Sequence, residues 1–349
     1  MGLDSQIRAK VRDSNIELYR CIVMMLIVAH HYMIHSGLLN ETATCLTSSE
    51  SIYLYLFGMW GKIGINCFVL ITGYFMCQSD ISLRKFLKLL LQVEFYKISI
   101  FIIFHVNDLS LSLDNSLLSL LPFTDIDNGF VDCFFVFYLF IPFLNLLVHS
   151  MTRNQHIELI SLCLFVFCLW PQLNFFVVNS NYVVWFCVIY LIAAYIRAYR
   201  IDCAFSCYSW GMITLLMVGL AFVSIVSLLF LGRSWPYFFV YDSNTILAVI
   251  ISVCSFMFFK NLKIRYSRCV SVAGATTFGV LLIHDCNWEM RRWLWGDICN
   301  CVGWFHKNVY LHSIVCVIGI YIICSIIDCL RLFLFERPLF KLLNKYRIC

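Results

Sequence analysis

The chain alternates long apolar runs with short polar connections. A helix needs about 20 apolar residues to cross the hydrocarbon core of a membrane, and ten runs are candidates for such spans. The predicted spans are 16–34, 52–77, 86–104, 130–148, 157–171, 182–196, 210–231, 245–259, 270–284 and 309–333. The second contains "GMWGKIG" at residues 58–64, which predicts a broken or re-entrant segment. The pattern therefore predicts an all-α polytopic membrane protein with one membrane-embedded domain over residues 1–349.

The positions of the basic residues predict how the chain is oriented. With the N-terminus in the cytoplasm, ten spans place 18 of the 25 Lys and Arg residues on the cytoplasmic side. Those on the opposite side are Arg233, Arg291, Arg292 and Lys307, and those within spans are Arg20, Lys62 and Lys97. This bias is what the positive-inside rule expects. Both termini are therefore predicted to be cytoplasmic, and topology alone accounts for most of the basic clusters.

Composition agrees with a membrane protein and narrows the candidate chemistry. The chain is 62% hydrophobic and 13% charged, whereas about a quarter of a typical soluble domain is charged. The net charge of +5 is therefore not evidence for nucleic-acid binding. Most of the 19 cysteines lie in apolar runs, where they behave as small apolar side chains. No Cys/His metal spacing is present and no metal site is predicted. A disulfide among Cys45, Cys286, Cys299 and Cys301 is left open.

The first predicted span contains ionisable residues that lipid does not favour. Arg20 and His31 are eleven residues apart, which puts them on one helix face about 16 Å apart along the axis. His35 lies one turn further on nearly the same face, whereas His30 points about 100° away. Such residues usually face a protein interior or a wet cavity. Arg20 is either a snorkelling anchor or functional. His31 is either a structural histidine or a general base for a hydroxyl proton.

A second polar cluster follows the ninth predicted span, in "TTFGVLLIHDCNWEMRRWLW" at residues 276–295. It contains His284, Asp285, Asn287 and Arg291 at the predicted outer face. Acid, base and aromatic residues together at a membrane surface indicate either a polar substrate or an ordinary interfacial belt. The sequence does not distinguish these two interpretations.

Four stretches carry a resemblance to a known family. They are "RDSNIELYRCIVMMLIVAHHYMIHSG" at 12–37, "GKIGINCFVLITGYFM" at 61–76, "FYLFIPFLN" at 137–145 and "FGVLLIHDCNWEMRRWLW" at 278–295. In this order they resemble the acyltransferase 3 family, and within it the compact O-acetyltransferases of bacterial surface polysaccharides that lack an appended esterase domain. Leu281 or Leu282 stands where the family usually has an aromatic residue. The Trp-Ser-Leu-x-Val-Glu motif of larger members is absent.

The resemblance implies a function for the residues singled out above. It implies transfer of an acetyl group from cytoplasmic acetyl-CoA to a hydroxyl of a surface or lipid-linked glycan, such as O-antigen or capsule, in the bacterial inner membrane. His31 and Arg20 would be catalytic. For His31 a general base is favoured over the alternative, in which the imidazole briefly carries the acetyl group itself. The donor phosphates would bind Arg20 and the cytoplasmic cluster of Arg84, Lys85 and Lys88. The acceptor would bind His284, Asp285, Asn287, Arg291 and Lys62.

Two other functions remain open at the level of sequence. One is export of a polysaccharide or an acylated intermediate, which the broken second span with Lys62 and Asn66 would favour. The other is a membrane-embedded partner that organises a glycan-synthesis complex. Such a partner would not need Arg20 and His31 on a shared face, and the shared face together with the family motifs favours the enzyme.

Overall fold

The computed structural model describes residues 13–107, 129–173, 181–199, 201 and 206–345, and these ranges contain helices and no strands. The helices are α1 (Ser14–Ile34), α2 (Leu38–Thr44), α3 (Ser49–Gly58), α4 (Gly61–Met76), α5 (Leu83–Val106), α6 (Phe130–Ser150), α7 (Arg153–Gln172), α8 (Tyr182–Tyr199), α9 (Cys207–Phe230), α10 (Ile246–Asn261), α11 (Arg268–His284), α12 (Trp288–Ile298), α13 (Cys301–Arg331) and α14 (Arg337–Lys345). The N-terminal basic residues 8–12 lie outside the described ranges.

Every one of the ten predicted apolar runs falls on a helix. In the described ranges, eight helices are long and apolar enough to span a membrane. A ninth span consists of α11 and α12 taken together, and α10 is an apolar helix of 16 residues. The prediction of an all-α, multi-pass membrane protein is therefore confirmed.

The sharp bend in the helical bundle does not lie in the second predicted span, where the glycines suggested a break. Only Met59 and Trp60 separate α3 from α4, and both have near-helical dihedral angles, so residues 49–76 form one apolar span. Gly58 and Gly61 instead let this span approach α1, because a Cβ at Gly61 would collide with the ring of His30. A sharp bend, of 95°, occurs between α11 and α12. The predicted break in the second span was wrong because glycine also serves close helix packing.

α1 lies at the centre of the bundle, where it contacts α3, α4, α10, α11 and α13. Its side chains Val28, Tyr32 and Met33 are completely buried. Lipid offers little hydrophobic drive for helices to associate, so packing and interhelical hydrogen bonds hold them together. The hydroxyls of Tyr19 and Ser255 are 2.7 Å apart and link α1 to α10. These contacts fix the rotation of α1, and hence the direction in which its polar residues point.

Contacts between helix ends show which termini lie together. The Ser267 backbone N–H, just before α11, donates to the Ser14 hydroxyl at 3.0 Å. Asn15 donates to the carbonyl oxygen of Lys260, near the end of α10, at 2.9 Å. The start of α1 therefore shares one end of the bundle with the end of α10 and the start of α11, which is the alternation that the basic residues predicted. That this end is cytoplasmic stays a prediction.

Candidate active site

A cavity of about 750 Å³ runs along α1. The residues of α1 that line it include Arg20, Met24, Ile27, His31 and His35. Their spacing of three or four residues is that of a single helix face. Fifteen residues of α-helix cover about 22 Å, so the cavity extends along most of α1. Arg20 and His31 therefore share one face and one cavity, as the sequence predicted.

His31 is the first member of a hydrogen-bonded pair of histidines. Its Nδ1 lies 2.9 Å from Nε2 of His284, and Nδ1 of His284 lies 2.6 Å from the carbonyl oxygen of Val280. A carbonyl oxygen only accepts, so the Nδ1–H of His284 donates to it and the Nε2 of neutral His284 is an acceptor. The Nδ1–H of His31 must then donate to His284. This leaves Nε2 of His31 with the lone pair, which is the nitrogen that a general base requires.

The bend between α11 and α12 carries acidic and basic side chains up to the same histidine. Oδ1 of Asp285 lies 3.7 Å from Nδ1 of His31 and 3.5 Å from Nε2 of His35. Nε–H of Arg291 donates to the same oxygen at 2.6 Å. Burial lowers the pKa of His35 to about 4, although Asp285 opposes that shift, so His35 is neutral at pH 7. The carboxylate of Asp285 is therefore a charge held close to both histidines.

The predicted acceptor residues divide into two groups in the structure. Asp285, Arg291 and Lys62 line the cavity. His284 does not line it: this residue is completely buried and serves as the partner of His31. Asn287 caps α12, because its Oδ1 accepts from the backbone N–H of Met290 at 2.8 Å. His284 therefore lies behind His31 rather than in the cavity wall, and Asn287 caps α12; that either residue binds the acceptor stays a prediction.

Opposite α1, the cavity wall contains aromatic residues that sequence reasoning did not identify. The ammonium group of Lys62 contacts both the hydroxyl and the ring of Tyr182 at the start of α8. Trp235 and Tyr241, on the loop between α9 and α10, also line the cavity. The available signal was the aromatic stretch "WPYFFVYD" at residues 235–242, which falls between two apolar runs.

The predicted donor-binding residues lie on the first turns of α5, outside the cavity lining. The guanidinium of Arg84 lies 5.3 Å from the ring centroid of Phe340, and the Lys85 ammonium donates to the carbonyl oxygen of Asp80 at 2.7 Å. Lys88 forms an ion pair with Glu336 at 2.6 Å. Among the described residues that line the cavity, the Lys and Arg side chains are Arg20, Lys62 and Arg291. Arg20 is therefore placed better than this trio to bind a donor inside the cavity.

The described cysteines form no disulfide. This range includes Cys45, Cys286, Cys299 and Cys301, for which the sequence left a bridge open. The thiol of Cys299 lies beside those of Cys301 and Cys316, both on α13. Nε2 of His312 lies 3.3 Å from the Sγ of Cys316. These side chains pack together behind Tyr32, whose hydroxyl is 2.8 Å from Nδ1 of His312.

Fold and site together define a multi-pass membrane protein with a histidine-based site inside its helical bundle. The family model described as an acyltransferase domain, that of acyltransferase 3, matches residues 13–329. Because this match covers most of the 349 residues, the chain belongs to the acyltransferase 3 family and is a membrane acyltransferase. No curated protein and no solved structure matches the chain.

Proposed function

We propose that this protein is an O-acetyltransferase of the bacterial inner membrane. It moves an acetyl group from cytoplasmic acetyl-CoA to a hydroxyl of a surface or lipid-linked glycan. The observation that carries this proposal is the hydrogen-bond chain from the carbonyl of Val280 through His284 to His31. That chain leaves a lone pair on a histidine that lines a large cavity, as base catalysis on a hydroxyl requires.

His31 acts as the general base in a direct transfer. Its Nε2 takes the proton of the acceptor hydroxyl while the hydroxyl oxygen attacks the thioester carbonyl. The carbon–sulfur bond then breaks, the new ester forms, and the proton on Nε2 passes to the departing thiolate. The imidazolium that forms in between is stabilised by His284, which accepts its Nδ1–H, and by the Asp285 carboxylate at 3.7 Å. This division of roles resembles that of the base and its orienting group in hydrolase triads.

The donor enters from the end of the cavity that carries Arg20. The cavity lining between Arg20 and His31 includes Met24, Ile27 and Phe68. A cavity wall with apolar side chains between a cation and His31 fits the extended arm of coenzyme A, whose phosphates carry the charge. Arg20 provides a guanidinium for one of these phosphates. The axial distance of about 16 Å from Arg20 to His31 is then spanned by the thioester arm.

The acceptor glycan enters from the opposite end. Trp235 and Tyr241 offer ring faces there, and Lys62 and Arg291 offer hydrogen-bond donors. Acetyl-CoA and the acceptor glycan reach His31 from opposite ends of the cavity, so the two substrates need not pass each other. The exporter hypothesis rested on a broken second span, whereas α3 and α4 are separated only by Met59 and Trp60 and together form one apolar span. This leaves the enzyme as the function that the geometry supports best.

Substitution of His31 tests the proposal. His31→Ala should lower the rate of acetyl transfer by about 10²–10⁴-fold, the usual contribution of a general base, and ester-linked acetate on the host's surface polysaccharide should be lost. The acetate is measured by proton NMR of the purified polysaccharide before and after mild alkali. His149→Ala is the matched control, because His149 is exposed and lies 2.7 Å from the carbonyl oxygen of Asn145 in its own helix. Wild-type acetate in the His31→Ala strain, at equal protein levels, would overturn the proposed mechanism.

A further inference from the structure

We propose that His31, His35 and Asp285 form a binding site for a divalent transition-metal ion of the zinc class, and that this ion inhibits acyl transfer. The binding half of this proposal stands on geometry alone. The inhibition half rests on the proposed function, because it requires His31 to be the base.

The three side chains offer ligand atoms at the separations that zinc requires. His31 and His35 are four residues apart, the spacing that places two histidines on one face of a helix in zinc enzymes. Asp285 reaches both from the bend after α11. The Asp285 oxygen is 3.7 Å from Nδ1 of His31 and 3.5 Å from Nε2 of His35. One ligand atom from each residue lies within 4.8 Å of the others.

These distances are close to those around a bound ion. Tetrahedral zinc with bonds of about 2.0–2.1 Å holds its ligand atoms roughly 3.4 Å apart. Two of the observed separations differ from this value by a few tenths of an ångström. The third, between the two imidazoles, lies within 4.8 Å, so the imidazoles turn toward each other when the ion binds. Three protein ligands leave a fourth position open, here toward the cavity, as in zinc sites that retain a water molecule.

The nature of the ligands selects the class of ion. Two imidazoles and one carboxylate suit zinc, copper, nickel and iron, whereas calcium and magnesium favour oxygen ligands throughout. Arg291 donates to the Asp285 carboxylate at 2.6 Å, and such outer hydrogen bonds commonly orient metal-bound carboxylates. The positive charge of Arg291 opposes a second cation, which keeps binding weaker than in structural zinc sites and therefore reversible.

Metal binding removes the lone pair that catalysis needs. A neutral imidazole has one N–H and one lone pair. When Nδ1 of His31 becomes a ligand, it gives up its hydrogen bond to His284 and the ring proton resides on Nε2. Nε2 then cannot accept the proton of a hydroxyl. The ion is thus an inhibitor and not a cofactor of the reaction, because its binding replaces the hydrogen bond between His31 and His284.

The sequence contained half of this signal. Residues 31–35 read "HYMIH", and the shared face of His31 and His35 was predicted. No metal site was predicted, because the sequence contains no CxxC pair and the spacing of His31 and His35 was not interpreted as a metal-binding pattern. Asp285 follows His31 by 254 positions, and its approach depends on the packing of α11 against α1.

Cobalt binding to the purified full-length protein tests the site directly. Wild-type protein in detergent, with thiols blocked by N-ethylmaleimide, is titrated with Co²⁺ and followed by visible ligand-field absorption. We expect one ion per chain, and at least about 10-fold weaker binding in His35→Ala, with His149→Ala unchanged. Equal binding by His35→Ala would overturn the proposal. A second result would also overturn the proposal. In protein whose thiols are not blocked, all bound cobalt would give a thiolate-to-cobalt charge-transfer band, and this band would disappear in Cys316→Ser.

Acetate transfer with and without Zn²⁺ tests the inhibition separately. Zn²⁺ should inhibit the wild type at least about 10-fold, a chelator should restore activity, and His35→Ala should lose most of this sensitivity whatever its own basal rate. Activation by Zn²⁺ would overturn the inhibitory role. If wild-type protein binds one Co²⁺ but transfers no acetate, the metal site stands and the proposed function fails. If active protein binds no Co²⁺, the metal site alone fails.

Discussion

Removal of the His284 side chain should slow acyl transfer without preventing it. His284 lies behind His31, is completely buried and does not line the cavity, so it touches neither substrate. In His284→Ala, the Nδ1–H of His31 loses its acceptor, and the imidazolium formed during the reaction loses a charge-assisted hydrogen bond. Such bonds contribute about 1.5–3 kcal/mol, which corresponds to roughly a 10- to 150-fold lower rate constant. We therefore expect kcat to fall by this factor and KM for both substrates to change little.

A conservative variant separates this positioning role from a general packing defect. The amide oxygen of a glutamine can occupy the place of Nε2 of His284 and accept from Nδ1–H of His31. His284→Gln should therefore recover most of the rate lost in His284→Ala, whereas His284→Leu, which fills the volume without an acceptor, should not. The assay is initial-rate transfer of labelled acetate from acetyl-CoA to the isolated native glycan by purified protein. Folding of each variant is checked by size-exclusion chromatography.

The reasoning about His284 would be refuted by either of two results. Wild-type kcat in a folded His284→Ala variant would show that His31 does not need its neighbour. Equal activity of the Gln and Leu variants would show that volume and not hydrogen bonding matters at this position. In both cases the assignment of the lone pair to Nε2 of His31 would lose its basis.

Two further predictions concern the donor end of the cavity and the packing of α1. Arg20→Ala should raise KM for acetyl-CoA by roughly 10-fold or more, which is the value of one charged hydrogen bond to phosphate. The control is Arg268→Ala, because Arg268 is exposed and its loss should leave KM unchanged. An unchanged KM in Arg20→Ala would show that Arg20 does not bind the donor. Gly61→Ala should lower stability by about 1–3 kcal/mol because of overpacking, seen as a lower midpoint of thermal unfolding in detergent. Gly219→Ala is the control, since its Cβ would meet no atom within 4 Å, and an equal effect of both substitutions would contradict the packing argument.

The sequence predicted the shared face of α1 because helical periodicity holds over a single uninterrupted helix. Arg20 and His31 both lie on that helix, and their relative direction depends only on the residues between them. The partner of His31 could not be predicted in this way. His284 is 253 positions away, and its role follows from the packing of α11 on α1. The same packing, with the bend after α11, places Asp285 beside His35.

Residues with two common roles account for the remaining differences. Gly58 and Gly61 were interpreted as a helix break, but they permit close approach between helices. The basic residues of α5 were interpreted as phosphate ligands, yet Lys88 forms an ion pair with Glu336, a residue 248 positions away whose proximity no local pattern reveals. Tertiary contacts decide between such alternative roles, and these contacts cannot be inferred from the local pattern of a single sequence.

The bend between α11 and α12 matters most for the charge on His31. At 3.7 Å and an effective dielectric constant of about 20, a carboxylate attracts an imidazolium by roughly 4 kcal/mol. Arg291, which donates to the same carboxylate, reduces this attraction. Without that reduction, the attraction of roughly 4 kcal/mol between Asp285 and the imidazolium exceeds the contribution of about 1.5–3 kcal/mol expected from the hydrogen bond to His284. Asp285 is the residue at which α11 ends and the chain turns toward α12, and its carboxylate helps His31 to hold a proton during transfer. The same carboxylate makes the site attractive to a metal cation, and catalysis and inhibition therefore share one structural cause.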